Sequence, residues 1–171
     1  MKRFVITVFV MSLFSFSLSG EEPLQVGADA PAVTVTTHTG DTLDMGELYA
    51  EGPVAIYFYP RSFTGGCTKQ ACNIRDNFDD LKAAGITVVG VSNDPVEKQE
   101  AFVEEYSLPF ILVADVEKTL GTAFQVESFL GKVYRRQTFL VVDGKIAWRD
   151  LSAKPATQTE DILAALEAAG K

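Results

Sequence analysis

The sequence predicts an α/β fold in which one mixed β-sheet is flanked by helices. Three observations carry that expectation. Apolar runs of strand length recur at residues 54–59, 86–91 and 110–114. Between them lie stretches whose apolar residues return every three or four positions, as on a helix with one buried face. Near the C-terminus, Asp143-Gly144 joins the runs 133–142 and 145–149, the most legible hairpin in the chain. Antiparallel neighbours are therefore expected beside the parallel ones that strand–helix alternation implies.

Taken in order, residues 32–36 read as a strand, and Thr39-Gly40-Asp41 turns it into a short N-terminal hairpin. A brief helix follows over 44–50, and Gly52-Pro53 breaks it before the 54–59 strand. Residues 64–84 read as one long helix, with Ala71, Ile74, Phe78 and Leu81 as its apolar stripe and Gly85 as its stop. A second buried strand occupies 86–91. Asp94-Pro95 opens another helix, with proline in its first turn, running to about Tyr106. Residues 110–114 are strand-like, 116–124 helical, and 133–142 one long strand. A terminal amphipathic helix over 157–169 starts at the capping box Thr157-x-x-Glu160. This order fits a thioredoxin-like core with an N-terminal hairpin extension.

The first twenty residues stand apart. Lys2 and Arg3 precede a fifteen-residue apolar run over 4–18, and Ser17-Leu18-Ser19 offers the small residues that a signal peptidase accepts. The run is shorter than the roughly 20 residues that span a bilayer. A cleaved export signal over 1–20 is therefore expected, with a periplasmic or extracellular mature protein over 21–171. Those remaining residues suit one domain. Removing Lys2 and Arg3 from the 15 basic residues leaves 13 against 23 acidic ones, a net charge near −10. Such acidity weighs against nucleic acid and anionic lipid as partners, and no stable membrane association is expected after processing.

Both cysteines fall in one segment, Pro60-Arg61-Ser62-Phe63-Thr64-Gly65-Gly66-Cys67-Thr68-Lys69-Gln70-Ala71-Cys72, directly after the 54–59 strand. Proline, a threonine able to cap a helix, and two glycines precede Cys67. That cysteine therefore sits in the first turn of a helix, where unpaired N–H groups and the dipole stabilise a thiolate. Two cysteines in an exported chain also admit a structural disulfide. On a continuous helix, however, residues five apart have Cα atoms roughly 8.5 Å apart, beyond the usual disulfide limit of about 7 Å. A bridge formed by local unwinding fits better than a permanent one.

The spacing Pro60-x3-Thr64-x2-Cys67 resembles the active-site signature of the peroxiredoxins. A cysteine five residues later, with Tyr57-Phe58-Tyr59-Pro60 and Cys67-Thr68-x-Gln70-Ala71-Cys72-x-x-Arg75-Asp76, resembles their Q-type subgroup, the bacterioferritin comigratory proteins. Arg136-Gln137-Thr138-Phe139 is similar to the family's Arg-x-Ser/Thr-Phe element, and the likeness runs from about Gln25 onward. Gly65 departs from the proline that usually follows the threonine. The resemblance implies a thioredoxin-like fold and the reduction of hydrogen peroxide and organic hydroperoxides without a prosthetic group or metal. It assigns Cys67 as the peroxidatic and Cys72 as the resolving residue. Thr64 is implied to offer its hydroxyl to the thiolate or peroxide, and Pro60 to close the pocket against water. A thioredoxin-like dithiol protein is the implied reductant, and a monomer the implied state.

Strand periodicity alone leaves Arg135 and Arg136 as equal candidates for the cation beside the thiolate, since neighbours on a strand point to opposite faces. The family element selects Arg136. His38, the only histidine, lies in the hairpin turn, so neither histidine acid–base chemistry nor a metal cluster is expected. Trp148 and the phenylalanines read as core, and Asp76, Asp79 and Asp80 as a solvated helix side. Two other functions compete with peroxide reduction. A copper-binding or thiol–disulfide module on the same fold would place a histidine or methionine near the cysteines. A non-catalytic secreted domain would hold a stable bridge.

Overall fold

The computed structural model describes residues 23–170, so the expected export signal lies outside the described residues. Strands β1 (Thr34–Thr36) and β2 (Thr42–Asp44) form the N-terminal hairpin, turned by Gly40 at φ 82°. Val35 points inward while Thr34 and Thr36 stay exposed, the period-2 pattern of a half-buried strand. Helix α1 (Met45–Glu51) starts at Asp44, whose carboxylate accepts the Glu47 N–H at 3.0 Å.

Strand β3 (Val54–Phe58) is buried on both faces. Helices α2 (Gly65–Asp76) and α3 (Phe78–Ala83) follow it, then β4 (Thr87–Ser92), α4 (Val96–Tyr106), β5 (Ile111–Ala114) and α5 (Thr119–Ala123). The chain continues through β6 (Ser128–Phe129), β7 (Val133–Tyr134), β8 (Gln137–Val142) and β9 (Lys145–Asp150) to α6 (Gln158–Ala168). The main sheet has the order β5-β4-β3-β8-β9, with β3, β4 and β5 parallel and β8 and β9 antiparallel. The mixed sheet, the flanking helices and the closing hairpin are those the sequence predicts.

Alternation along β3 divides the core into two layers. Val54, Ile56 and Phe58 join Phe124, Tyr134 and Phe139 on one face. Ala55, Tyr57 and Tyr59 join Cys67, Ile74, Phe102 and Ile162 on the other. Gly90 lies in register between Tyr57 of β3 and Leu112 of β5, and a Cβ there would come within 2.6 Å of both side chains. Glycine at that position makes room for the Tyr57 ring behind the cysteine helix.

The structure corrects several expected elements. The long helix over 64–84 breaks at Asn77, which adopts φ −118°, ψ 22° while its side-chain amide donates to the Asn73 carbonyl at 2.7 Å. That local bond competes with the helical ladder. The expected strand over 133–142 is interrupted at Arg135 and Arg136. Arg135 donates its N–H to the Glu127 carbonyl at 2.8 Å, tying the chain to the small β6–β7 hairpin before β8 begins. Arg136 therefore lies in the connection between β7 and β8, not on a strand.

The capping box at Thr157 does not form either. Its hydroxyl donates to Asp161 at 2.7 Å, and Asn73 of α2 instead accepts the Thr159 N–H at 3.0 Å. Pro95 occupies the cap position of α4 and not its first turn. The helix expected over 116–124 is confined to α5, which starts after Lys118, with the Asp115 carboxylate accepting the N–H groups of Leu120 and Gly121. Phe63 and Phe129 are exposed, and Trp148 is only half-buried beside the core.

Candidate active site

The site forms where β3 leaves the sheet. Tyr59 donates the last sheet-like bond, to the Val91 carbonyl at 3.0 Å, and Pro60 has no N–H with which to continue. The next turn is pinned from below. Buried Ser62 donates its N–H to Asp94 at 2.7 Å, and the Tyr59 hydroxyl donates to Gln99 at 2.5 Å. Phe63, at φ 65°, lays its ring edge-on to Phe102 with centroids 5.1 Å apart. These contacts fix the entry into α2.

Thr64 is the residue before the helix, but its hydroxyl makes no cap bond and donates to the Arg61 carbonyl at 2.9 Å. The hydroxyl proton is thus already engaged, and the oxygen meets any incoming group as an acceptor. The first intrahelical bond runs from Thr68 N–H to the Thr64 carbonyl at 2.8 Å. Gly65, Gly66 and Cys67 precede it, so their N–H groups have no acceptor within the helix. They point along the axis at the positive end of the dipole, which suits an anion.

Cys67 is 2% exposed. The Arg136 guanidinium donates from Nη2 to its sulfur at 3.3 Å and from Nη1 to the Gln70 side-chain carbonyl. Arg135 turns outward to an ion pair with Glu127 at 2.8 Å, on a side chain 58% exposed. Geometry thus separates the two arginines that strand periodicity left equivalent. A Cβ on Gly66 would stand 3.2 Å from Arg136 Nη2, so glycine there leaves the guanidinium its path to the sulfur.

Cys72 is half-buried on the same unbroken helix, and both thiols are free. Helical geometry sets Cα atoms five residues apart at roughly 8.5 Å. Behind the helix, burial pushes the Tyr57 phenol well above its ordinary range, with Tyr59 and Cys67 adding to the effect and Arg136 opposing it. Tyr57 therefore stays protonated and does not serve as a base. Among the described residues, no three His, Cys, Asp or Glu side chains are grouped to hold a metal.

Sequence reasoning missed the polar support behind Arg136. Gln70 is fully buried, donates to Gln158 at 2.5 Å, and so links the guanidinium to the first residue of α6. Thr138 of β8 donates to the same Gln158 oxygen at 3.0 Å. Gln70 was visible as a polar residue one turn beyond Cys67. Gln158 carries no local signal.

The sequence profile of the AhpC/TSA family matches residues 26–149. The chain belongs to that family. Peroxiredoxin Bcp of Escherichia coli strain K12 is 40% identical over 131 residues, which cover 72% of this chain and 83% of that protein. Among solved structures, peroxidoxin BcpB from Mycobacterium tuberculosis has a TM-score of 0.79 and 31% identity, covering 85% of this chain and 97% of its own. The bacterioferritin comigratory protein of Xanthomonas campestris has a TM-score of 0.77 and 25% identity, covering 86% and 100%. The protein is a peroxiredoxin with the thioredoxin-like fold, of the Bcp and Q type. As such it is a thiol peroxidase, with peroxides as substrates and a thiol as reductant.

Proposed function

We propose that this peroxiredoxin reduces hydrogen peroxide and organic hydroperoxides through Cys67, and resolves the product with Cys72. The observation that carries the proposal is Arg136 Nη2 at 3.3 Å from the Cys67 sulfur, in the first turn of α2. An electron pair of the Cys67 thiolate forms the S–O bond as the O–O bond breaks. The terminal oxygen keeps its hydrogen as the sulfenic acid, and the leaving alkoxide or hydroxide takes a proton from solvent water and departs as alcohol or water. Arg136 and the first-turn N–H groups lie where negative charge moves from sulfur to oxygen. Thr64, its own proton held by the Arg61 carbonyl, accepts a hydrogen bond from the peroxide O–H, and Pro60, lacking an N–H, closes the pocket without competing for the peroxide. The Xanthomonas campestris relative is described by its alkyl peroxide reduction activity, which supports organic hydroperoxides as substrates.

Resolution follows when the Cys72 sulfur attacks the sulfenic sulfur, forming the S–S bond and expelling the oxygen as water. A thioredoxin-like dithiol then supplies two electrons and two protons, restoring both thiols and becoming a disulfide itself. One equivalent of peroxide should convert reduced wild-type protein to an intramolecular disulfide, two hydrogens lighter. Cys72→Ser should instead gain one oxygen atom and pass to the sulfinic form with excess peroxide. A wild-type product that retains two free thiols after peroxide is consumed overturns the scheme.

We also infer export. Residues 1–20 have the charged start, short apolar run and small residues of a cleavable signal. The mature monomer then works outside the cytoplasm, free of the membrane, where its reductant must be delivered. Intact-mass measurement on protein from its native cells should give an N-terminus near Gly20 or Glu21. Retention of Met1 rules out processing.

A further inference from the structure

We propose that Gln158, at the start of α6, is a positioning residue for the peroxide step and acts through Gln70 on Arg136. The argument begins with hydrogen-bond polarity. A guanidinium has only donors, so Gln70 must turn its carbonyl oxygen toward Arg136 Nη1. Its NH2 group is then directed away, into a fully buried site, and finds the Gln158 oxygen at 2.5 Å. Thr138 donates to that same oxygen at 3.0 Å, which fixes Gln158 in turn. The direction of each amide along this chain is set by the one next to it.

Among the described residues, the buried Nε2 of Gln158 has no hydrogen-bond partner. An amide that leaves its own donor orphaned is poorly explained by stability, because an apolar side chain would bury without that cost. It is explained if the oxygen is what the site needs. Without that acceptor, the Gln70 NH2 is left unpaired in the core, and a turned Gln70 amide would present donors to the donors of Arg136. The guanidinium would then lose its anchor on one side, and with it the alignment of Nη2 on the Cys67 sulfur.

A second link between the same helices lets this role be told from simple docking. Asn73 of α2 donates to the Ala156 carbonyl at 3.0 Å and accepts from the Thr159 N–H at 3.0 Å. It holds α2 against α6 without touching Arg136, Gln70 or Cys67 in this network. Loosening it should ease the unwinding of α2 and leave Arg136 in place.

The inference rests on the proposed roles of Cys67 and Arg136, and the experiment separates the two levels. Sulfenic acid formation and disulfide formation are measured separately by rapid mixing of full-length mature protein with hydrogen peroxide. Gln158→Met should slow sulfenic acid formation about tenfold, as expected for a misaligned reacting group. In a Gln70→Met background it should add almost nothing, because its route is already cut. Asn73→Ala should leave sulfenic acid formation unchanged and speed disulfide formation. If Gln158→Met does not fold, Gln158→Asn, too short to reach Gln70, should give the same slowing.

A Gln158 variant that behaves like Asn73→Ala makes Gln158 a docking residue and overturns the inference. Full additivity with Gln70→Met does the same. If Arg136→Ala itself leaves sulfenic acid formation unchanged, the failure lies in the role given to Arg136.

Discussion

Cys67→Ser is expected to reduce peroxide consumption to the uncatalysed level while the protein stays folded. The sulfur is the reacting atom, and a serine hydroxyl remains protonated at neutral pH and does not attack a peroxide O–O bond at a useful rate. Cys72 does not substitute, since it lies beyond the first turn of α2, away from the unpaired N–H groups. The core around position 67 loses only a sulfur-for-oxygen change among Tyr57, Tyr59 and Ala71. Stopped-flow peroxide consumption with thermal denaturation on the same sample checks both parts. Retained turnover in Cys67→Ser would move the nucleophile elsewhere.

The second large effect is expected from Arg136→Ala. It removes the donor that lies 3.3 Å from the sulfur and frees Gln70 from its partner. Loss of one aligned donor to a developing anion slows such steps by about 100-fold to 1,000-fold. The loss should fall on sulfenic acid formation and leave the later disulfide step nearly unchanged. Arg135→Ala removes only an exposed ion pair to Glu127, whose contribution is typically about 0–1 kcal/mol. Parallel single-turnover rates for the two variants test this contrast, and a reversal would exchange the assignments of Arg135 and Arg136.

Much of this site was legible in the sequence because its centre is local. Pro60, Thr64, Cys67 and Cys72 follow one strand end and one helix start, and the spacing of four residues encodes both. The central sheet was legible for a related reason: β3 and β4 are buried on both faces and read as near-continuous apolar runs. Where the sequence misled, tertiary contacts outweighed pattern. Phe78 and Leu81 continue the apolar stripe of α2 across the break at Asn77, so periodicity hides it. Arg135 and Arg136 sit between two strand-like runs, and only the β6–β7 hairpin reveals the interruption.

The polar network was out of reach for another reason. Gln70 and Gln158 are 88 residues apart and meet only because α6 packs against α2. Nothing near Gln158 marks it as anything but the first residue of an amphipathic helix. Thr64 shows the limit of residue-type rules, since a good capping residue instead bonds back to Arg61 and leaves the helix start open.

Hydrogen exchange on the reduced and peroxide-oxidised protein tests the central claim most directly. If Cys67 reacts in a folded α2 and Cys72 resolves it, the disulfide must bring together Cα atoms that the helix holds roughly 8.5 Å apart, beyond the usual limit of about 7 Å. Oxidation should therefore remove amide protection across residues 68–76, whose N–H groups bond within α2, while β3, β4 and β8 keep theirs. Equal protection of that helix in both redox states would contradict the account, because no disulfide between Cys67 and Cys72 could then have formed.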